Sequence, residues 1–232
     1  MILPALTLVA TPIGNLGDLS PRAAEALTAA ELWFVEDSRV SSRLAVHLGI
    51  KRPMRLVTDY TDDTTLHRYV SELATTHAAL VTDGGAPGIS DPGARLCDLC
   101  HTAGLAVDAV PGPSAVIDAL MLSGFYAQRF AFLGFLGRKH GSMVSDLTEF
   151  AGSPLTLVLF ESPHRFRALL AAAGEALGPR RYALCRELTK LHQQVYRSAL
   201  PTLPADTEVP AKGEVTVVIE GLRRPTRGSN PS

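Results

Sequence analysis

Cysteine is scarce in this chain, with three in 232 residues. That number supports no disulfide framework and points to a reducing, cytoplasmic compartment. No uninterrupted apolar run is long enough to span a bilayer, which excludes a helical membrane protein. The opening MILPALTLVA lacks the basic leader and small-residue cleavage site of a secretory signal, and reads as a first strand. No His/Cys/Asp spacing suggests a metal site, no strand-to-helix serine elbow suggests a hydrolase, and no internal repeat is found. Net charge is also lacking: the formal value of -1 argues against a general polyanion binder.

What is present is apolar material, 46% of the residues, enough for one large domain or two small ones and inconsistent with disorder. The small net charge hides an uneven distribution. Residues 1–115 carry eight Lys+Arg against thirteen Asp+Glu, and the remainder carries fourteen against ten. A basic second half leaves room for one phosphate-rich partner, or is ordinary solvated surface.

Strand and helix patterns alternate through the first half: strands at 6–10, 31–36, 54–58, 79–82 and 105–110, with helices between them. This predicts an α/β domain with parallel strands and crossover helices on both faces. Pro111-Gly112-Pro113-Ser114 breaks the pattern where the charge balance changes, which predicts a first domain over 1–113. A second α/β domain is expected over 114–222, with strands at 130–135, 155–160, 182–187, 192–198 and 214–220. The last two have no helix between them, so a mixed sheet is expected. Residues 223–232 read as a frayed tail.

Several segments carry chemistry. The most informative is AALVTDGGAPGISDPG (78–93), a buried-type strand running into a loop dense in glycine, proline and aspartate. Asp91 is expected there as a helix N-cap, with Pro92 at the first helical position. Such a loop at the carboxyl end of a strand is where an open α/β sheet binds ligands. The loop Thr11-Pro12-Ile13-Gly14-Asn15-Leu16-Gly17-Asp18 lacks the third glycine of a dinucleotide fingerprint and the lysine of a triphosphate loop. Glu36 and Arg39, after the second strand, could grip a ribose or substrate, whereas Asp37 and Ser38 read as helix caps. Cys97-Asp98-Leu99-Cys100-His101 matches a haem-attachment or redox-dithiol pattern, but its apolar stripe reads as buried small hydrophobes. In the second half, Glu161-Ser162-Pro163-His164-Arg165, Arg186-Glu187-Leu188-Thr189-Lys190 and Lys212-Gly213-Glu214 are charged clusters at strand ends. Together they suggest a polar cleft, or else inter-strand salt bridges.

The ordered set TPIGNLGDLSPRA, EDSR, TDGGAPGISDPG, VPGPSAVIDAL, ESPHR, RELTK and KGE resembles the ribosomal RNA small subunit methyltransferase I family, a branch of the tetrapyrrole methylases, from about residue 5 to 221. The resemblance implies two α/β domains, the N-terminal sheet mostly parallel and the C-terminal sheet mixed. It also implies a homodimer and S-adenosylmethionine (SAM) in the cleft between the domains. The implied reaction is 2′-O-methylation of a cytidine ribose in small-subunit (16S) ribosomal RNA. The implied cofactor residues are Pro12, Asn15, Asp83, Gly85, Ala86, Ile89, Ser114, Ala115, Glu161, Glu214 and Val215. Displacement of a sulfonium methyl by a ribose hydroxyl calls for alignment and for help with the departing proton. Glu187 with Lys190, or Glu161 with Lys212, would serve: the carboxylate takes the proton and the cation stabilises developing charge. Arg165 and Arg186 are expected to hold RNA phosphate.

The chain departs from the family pattern at Asp59-Tyr60-Thr61-Asp62-Asp63, where members usually carry His-Asn-Glu, and at Gly84 and Ala86, where members usually carry alanine and threonine. Many members also continue into a helical extension beyond the last strand. Here Arg223, Arg224 and Arg227 are the phosphate contacts expected after Gly221. Two other readings remain open at this point: a SAM-dependent C-methyltransferase of a tetrapyrrole, and a non-catalytic SAM-binding module associated with the ribosome.

Overall fold

Leu32–Val35 and Ala78–Val81 are buried at every position, as strands covered on both faces must be. They are β2 and β4 of a five-stranded sheet in the computed structural model, which describes residues 4–223. The other strands are β1 (Leu6–Val9), β3 (Met54–Leu56) and β5 (Val107–Val110); the order is β3-β2-β4-β1-β5 and every pairing is parallel. Side-chain alternation divides the core between the two faces. Trp33, Val35, Ala79 and Val81 pack under α1 (Pro21–Ala29) and α2 (Ser38–His47). Leu32, Phe34, Ala78 and Leu80 pack under α3 (Asp63–Leu73) and α4 (Ala94–Thr102). The chain therefore leaves β1 over one face and β4 over the other. The crevice between their carboxyl ends is a topological switch point.

Local chemistry sets the helix starts. Ser20 accepts from the Ala23 amide at 3.1 Å with Pro21 at the first position, and Asp62 accepts from the Thr65 amide at 2.9 Å. The expected Asp91 cap is not formed. Helix α4 begins two residues later than expected, with Gly93 as N-cap at φ 126, because the Gly88 amide bonds the Pro92 carbonyl and draws Asp91 and Pro92 into a turn. A Cβ on Gly93 would lie 2.5 Å from Leu80 Cδ2, so only glycine suits this position. Within α4, Cys100 is fully buried and Cys97 half-buried. Burial pushes the Cys100 thiol up to about 11, as suits a packing residue rather than a reactive one.

The described residues form two compact units, the second beginning at Ala115. It contains α5 (Ala115–Ser123), β6 (Phe130–Phe132), α6 (His140–Thr148), β7 (Thr156–Glu161), α7 (Phe166–Leu177), β8 (Arg181–Arg186), β9 (Gln194–Ala199) and β10 (Val215–Ile219). Its sheet runs β6-β7-β10-β8-β9, parallel between β6 and β7 and antiparallel elsewhere. The last two strands are not neighbours. All five residues of β10 are buried, so it takes a central place, whereas β9 alternates in burial and takes the edge. Leu157, Leu159, Leu184, Val217 and Ile219 pack on α6 and α7, and α5 lies against the other face. Strand β6 is shorter than the predicted 130–135, ending where Gly134 turns at φ 60. Arg223 is described, whereas Arg224 and Arg227 lie outside the described residues.

Candidate functional site

The carboxyl ends of β1, β4 and β5 hold the first group of expected residues. Thr11 and Gly85 form an antiparallel bridge with N–O distances of 3.0 and 2.9 Å, locking the 11–18 loop to the 83–93 loop. The approach is close: a Cβ on Gly84 would lie 3.1 Å from the Pro12 carbonyl oxygen, and one on Gly112 would lie 3.0 Å from that of Ala10. Pro12 and Ala86 are half-buried beside this bridge and Ile89 is exposed. The Gly85 amide is spent on Thr11, so this residue serves through its backbone shape at φ 89. Asn15 caps a single 3₁₀ turn, its Oδ1 accepting from the Gly17 amide at 2.9 Å.

Around these loops lies an acidic rim. Burial raises the carboxyl pKa of Glu36 and of Asp83, and neighbouring acids raise both further. The Asp83 amide donates to Glu36 Oε2 at 3.4 Å. Asp91 is pushed up to about 6, by burial first and by the Glu36 charge next, against the pull of the Thr82 hydroxyl. Because this lies above the ordinary 3.8, the folded chain holds an extra proton between the two values. The stabilisation is complete below pH 3.8 and is lost as pH rises through about 6. Asp91→Asn is therefore expected to stabilise the protein at pH 8 by about 1 kcal/mol, discounted for a half-exposed group, and to leave it unchanged near pH 4. Thermal melts at both pH values check this; parallel curves for the two proteins would rule it out.

In the second unit, sheet register assembles the three charged clusters at one end. Val215 of β10 stands opposite both Glu161 of β7 and Arg186 of β8. Beyond β8 the chain turns tightly through Glu187 (φ 52) and Thr189 (φ 63), a left-handed conformation that costs free energy for residues other than glycine. Glu187 Oε1 accepts from Lys190 Nζ at 3.1 Å and from the Glu214 amide at 3.0 Å, while Glu214 Oε2 lies 2.9 Å from the same Nζ. Burial alone would raise the Glu187 carboxyl, but the Glu214 amide and Lys190 hold it lower. Burial would likewise lower Lys190, but Glu214 and Glu187 hold it raised. The group is thus a charged triad, with one cation between two carboxylates. A Cβ on Gly213 (φ 87) would lie 2.5 Å from Glu187 Cδ, so glycine here makes room for the carboxylate.

Glu161 is buried at the end of β7. Its Oε1 accepts from the Ser162 amide at 2.7 Å, whereas Oε2 has no hydrogen-bond partner and only an ion-pair contact to Arg165 at 3.3 Å.

The sequence model of the tetrapyrrole (corrin/porphyrin) methylases matches residues 5–204. A ribosomal RNA small subunit methyltransferase I of Xylella fastidiosa is 41% identical over 93% of this chain and 81% of its own length. Those of a Synechocystis strain and of Mycobacterium tuberculosis are 41% and 42% identical, covering 97% and 93% of this chain and 81% and 77% of their own lengths. The chain belongs to the ribosomal RNA small subunit methyltransferase I family of tetrapyrrole methylases. Membership identifies it as a methyltransferase. Among solved structures, the methyltransferase CobJ superposes with a TM-score of 0.68 at 17% identity, covering 95% of this chain and 96% of its own. A diphthine synthase superposes with a TM-score of 0.71 at 13% identity, covering 93% and 89%. At such identities these two show the fold alone.

In this methyltransferase the structure separates candidates that the motifs left equal. It joins Glu187 to Lys190, and it pairs Glu161 with Arg165 rather than with Lys212. Lys212 is exposed, forms no ion pair with any described residue, and gives its carbonyl to Arg186. Arg186, expected on phosphate, spends its guanidinium on Gln194 Oε1 and the Lys212 and His192 carbonyls, each at 3.2 Å. These bonds tie the loops together. Arg39, also a substrate candidate, is held in its own loop by Asp37. Ser114 and Ala115 are half-buried at the junction of the two units. Gly213 was missed as a site residue, although its place between Lys212 and Glu214 carried the signal.

Proposed function

We propose that this chain transfers the methyl group of SAM to the 2′-hydroxyl of a cytidine ribose in small-subunit ribosomal RNA. The observation that carries the reading is the Glu187–Lys190–Glu214 triad at the end of the second sheet, in a chain whose relatives bear the small-subunit methyltransferase name.

The residues present fit the cofactor. Gly84 lets the 83–93 loop pack closely on Pro12 and Ile13 of the 11–18 loop, and the rim of Glu36, Asp83 and Asp91 favours a ligand bearing positive charge, as a sulfonium and an amino-acid ammonium do. Glu161 Oε2 is a buried acceptor in want of a donor. The reading assigns Pro12, Asn15, Asp83, Gly85, Ala86, Ile89, Ser114, Ala115, Glu161, Glu214 and Val215 to SAM. When bound, SAM supplies an electrophilic methyl on sulfur. Lys190 then lowers the cost of developing charge on the ribose oxygen. Glu187, whose Oε1 is committed to Lys190 and the Glu214 amide, takes the hydroxyl proton on Oε2. Arg165 balances Glu161, and the reading assigns it to RNA phosphate.

The reading includes a homodimer and a cytoplasmic location. Among the described residues no helix is long and apolar enough to cross a membrane. Calorimetric titration with SAM tests the cofactor, and a map of 2′-O-methyl positions on small-subunit RNA from cells with and without the protein tests the reaction. One cytidine position is expected to lose its methyl group. An unchanged map overturns the reading, and SAM binding beside an unchanged map leaves a tetrapyrrole C-methyltransferase or a binding module.

A further inference from the structure

The loop after β6 holds an exposed aromatic ring on a rigid support. Leu133 continues the pairing with β7 through its amide to the Val158 carbonyl at 2.9 Å, and the Phe160 amide reaches the Gly134 carbonyl at 2.9 Å. Gly134 then turns the chain outward. Leu133 and Leu136 pack on the core, but Phe135 between them is 62% exposed. Arg165 fixes the far side, its guanidinium donating to the Leu136 and Gly137 carbonyls at 3.4 and 3.2 Å. The Phe135 ring lies 5.6 Å from Phe160, which meets Phe132 at 4.9 Å, so the exposed ring ends an aromatic row.

Its surroundings are cationic. Arg138 and Lys139 follow three and four residues after Phe135, both exposed and without an ion pair to any described residue. The first turn of α6 contains no acidic residue, and Lys139 at its N-cap makes no side-chain cap bond. Next to them, His140 pairs with Glu175 at 3.0 Å. Through Arg165 the loop adjoins Glu161, the residue beside Phe160 on β7.

A protein core has no use for a ring pointed at water on a loop so firmly held. An exposed ring followed three and four residues later by two exposed cations matches the chemistry of unpaired nucleotides, whose bases offer flat faces and whose linkages carry negative charge. We infer that Phe135, Arg138 and Lys139 form a platform for single-stranded RNA, with one base stacked on Phe135 and the adjacent phosphates on Arg138 and Lys139. This rests on the RNA reading above and extends it by naming the substrate form and the residues that hold it. An A-form duplex keeps its bases stacked inside, so the platform selects an unpaired segment.

The test uses a fluorescein-labelled, unstructured RNA of roughly 12 nucleotides, followed by anisotropy at several salt concentrations, with a duplex of the same length as competitor. Phe135→Ala is expected to weaken binding about five- to a hundred-fold and Phe135→Trp to restore it. The double variant R138A/K139A is expected to reduce the slope of log affinity against log salt by about 1.4. Melting curves of F135A should match the unmodified protein, because the ring is mostly in water. Unmodified protein that fails to bind the strand, F135A that binds as well, an unchanged salt slope, or a duplex that competes better than the single strand would each overturn the platform. SAM titration of F135A separates the two ideas. Normal cofactor binding by F135A, with normal methylation in cells carrying it and unchanged RNA binding, overturns the platform alone, whereas a methylation map that does not differ between cells with and without the protein strikes the reaction itself.

Discussion

Lys190→Met is expected to slow methyl transfer by about 10²- to 10³-fold while leaving SAM affinity near that of the unmodified protein. The ammonium sits 3.1 Å from Glu187 and 2.9 Å from Glu214, and those carboxylates keep it protonated. It is therefore a fixed positive charge and no base, suited to the oxygen on which negative charge grows. Methionine keeps most of the stem's bulk and removes only the charge. Glu187→Gln is expected to cost a similar or larger factor, about 10² to 10⁴, since it removes the carboxylate that the proposed reaction uses as proton acceptor and loosens the lysine. Gly213→Ala supplies an independent arm. Its new Cβ, 2.5 Å from Glu187 Cδ, must displace that carboxylate, so activity falls although no charged group has been changed. Single-turnover rates at saturating SAM read all three. If K190M turns over at the unmodified rate, the chemistry does not lie in this triad and Glu161 with Arg165 becomes the pair to examine.

Gly221→Ala is expected to destabilise the second unit by about 3 kcal/mol or more. A Cβ there would lie 2.2 Å from the Pro154 carbonyl oxygen and 2.5 Å from that of Leu155. These are backbone atoms, which no rotamer change can move aside. The same crossing is pinned by the Leu222 amide on the Ser153 carbonyl at 2.8 Å, so relief of the clash breaks that bond. The single tryptophan, Trp33, lies in the first unit, so its fluorescence reports that unit alone. Far-UV circular dichroism reports both. Loss of helix and strand signal at lower temperature in the variant, with the Trp33 transition in place, is the expected result. An unmoved dichroism curve would show that the backbone yields at little cost.

Much of this architecture is legible in the chain as written. Burial on both faces selects apolar runs such as LWFV and TLVLFE, and helix starts such as Ser20-Pro21 follow from side-chain oxygens that satisfy free amides within three residues. The glycine-rich loops at the carboxyl end of the first sheet were legible for the same local reason. The cap at Gly93 was not, because the reason for a glycine there is Leu80, thirteen residues back on the neighbouring strand. The exposure of Phe135 was hidden too: FAFLGF reads as one apolar strand until the turn at Gly134 sends alternate residues to core and solvent.

The sequence alone therefore determined the two α/β units, the loops that rim the first sheet, the charged clusters at strand ends and the family to which they belong. Only the tertiary structure decided which charges meet. Strand β10 enters between β7 and β8, placing Val215 opposite both Glu161 and Arg186, and thereby brings the turn at 187–190 onto Gly213 and Glu214. That pairing closes long loops and depends on the burial of a whole strand, which no short motif encodes. It paired Lys190, not Lys212, with Glu187, and it set the Arg186 guanidinium on the Lys212 carbonyl.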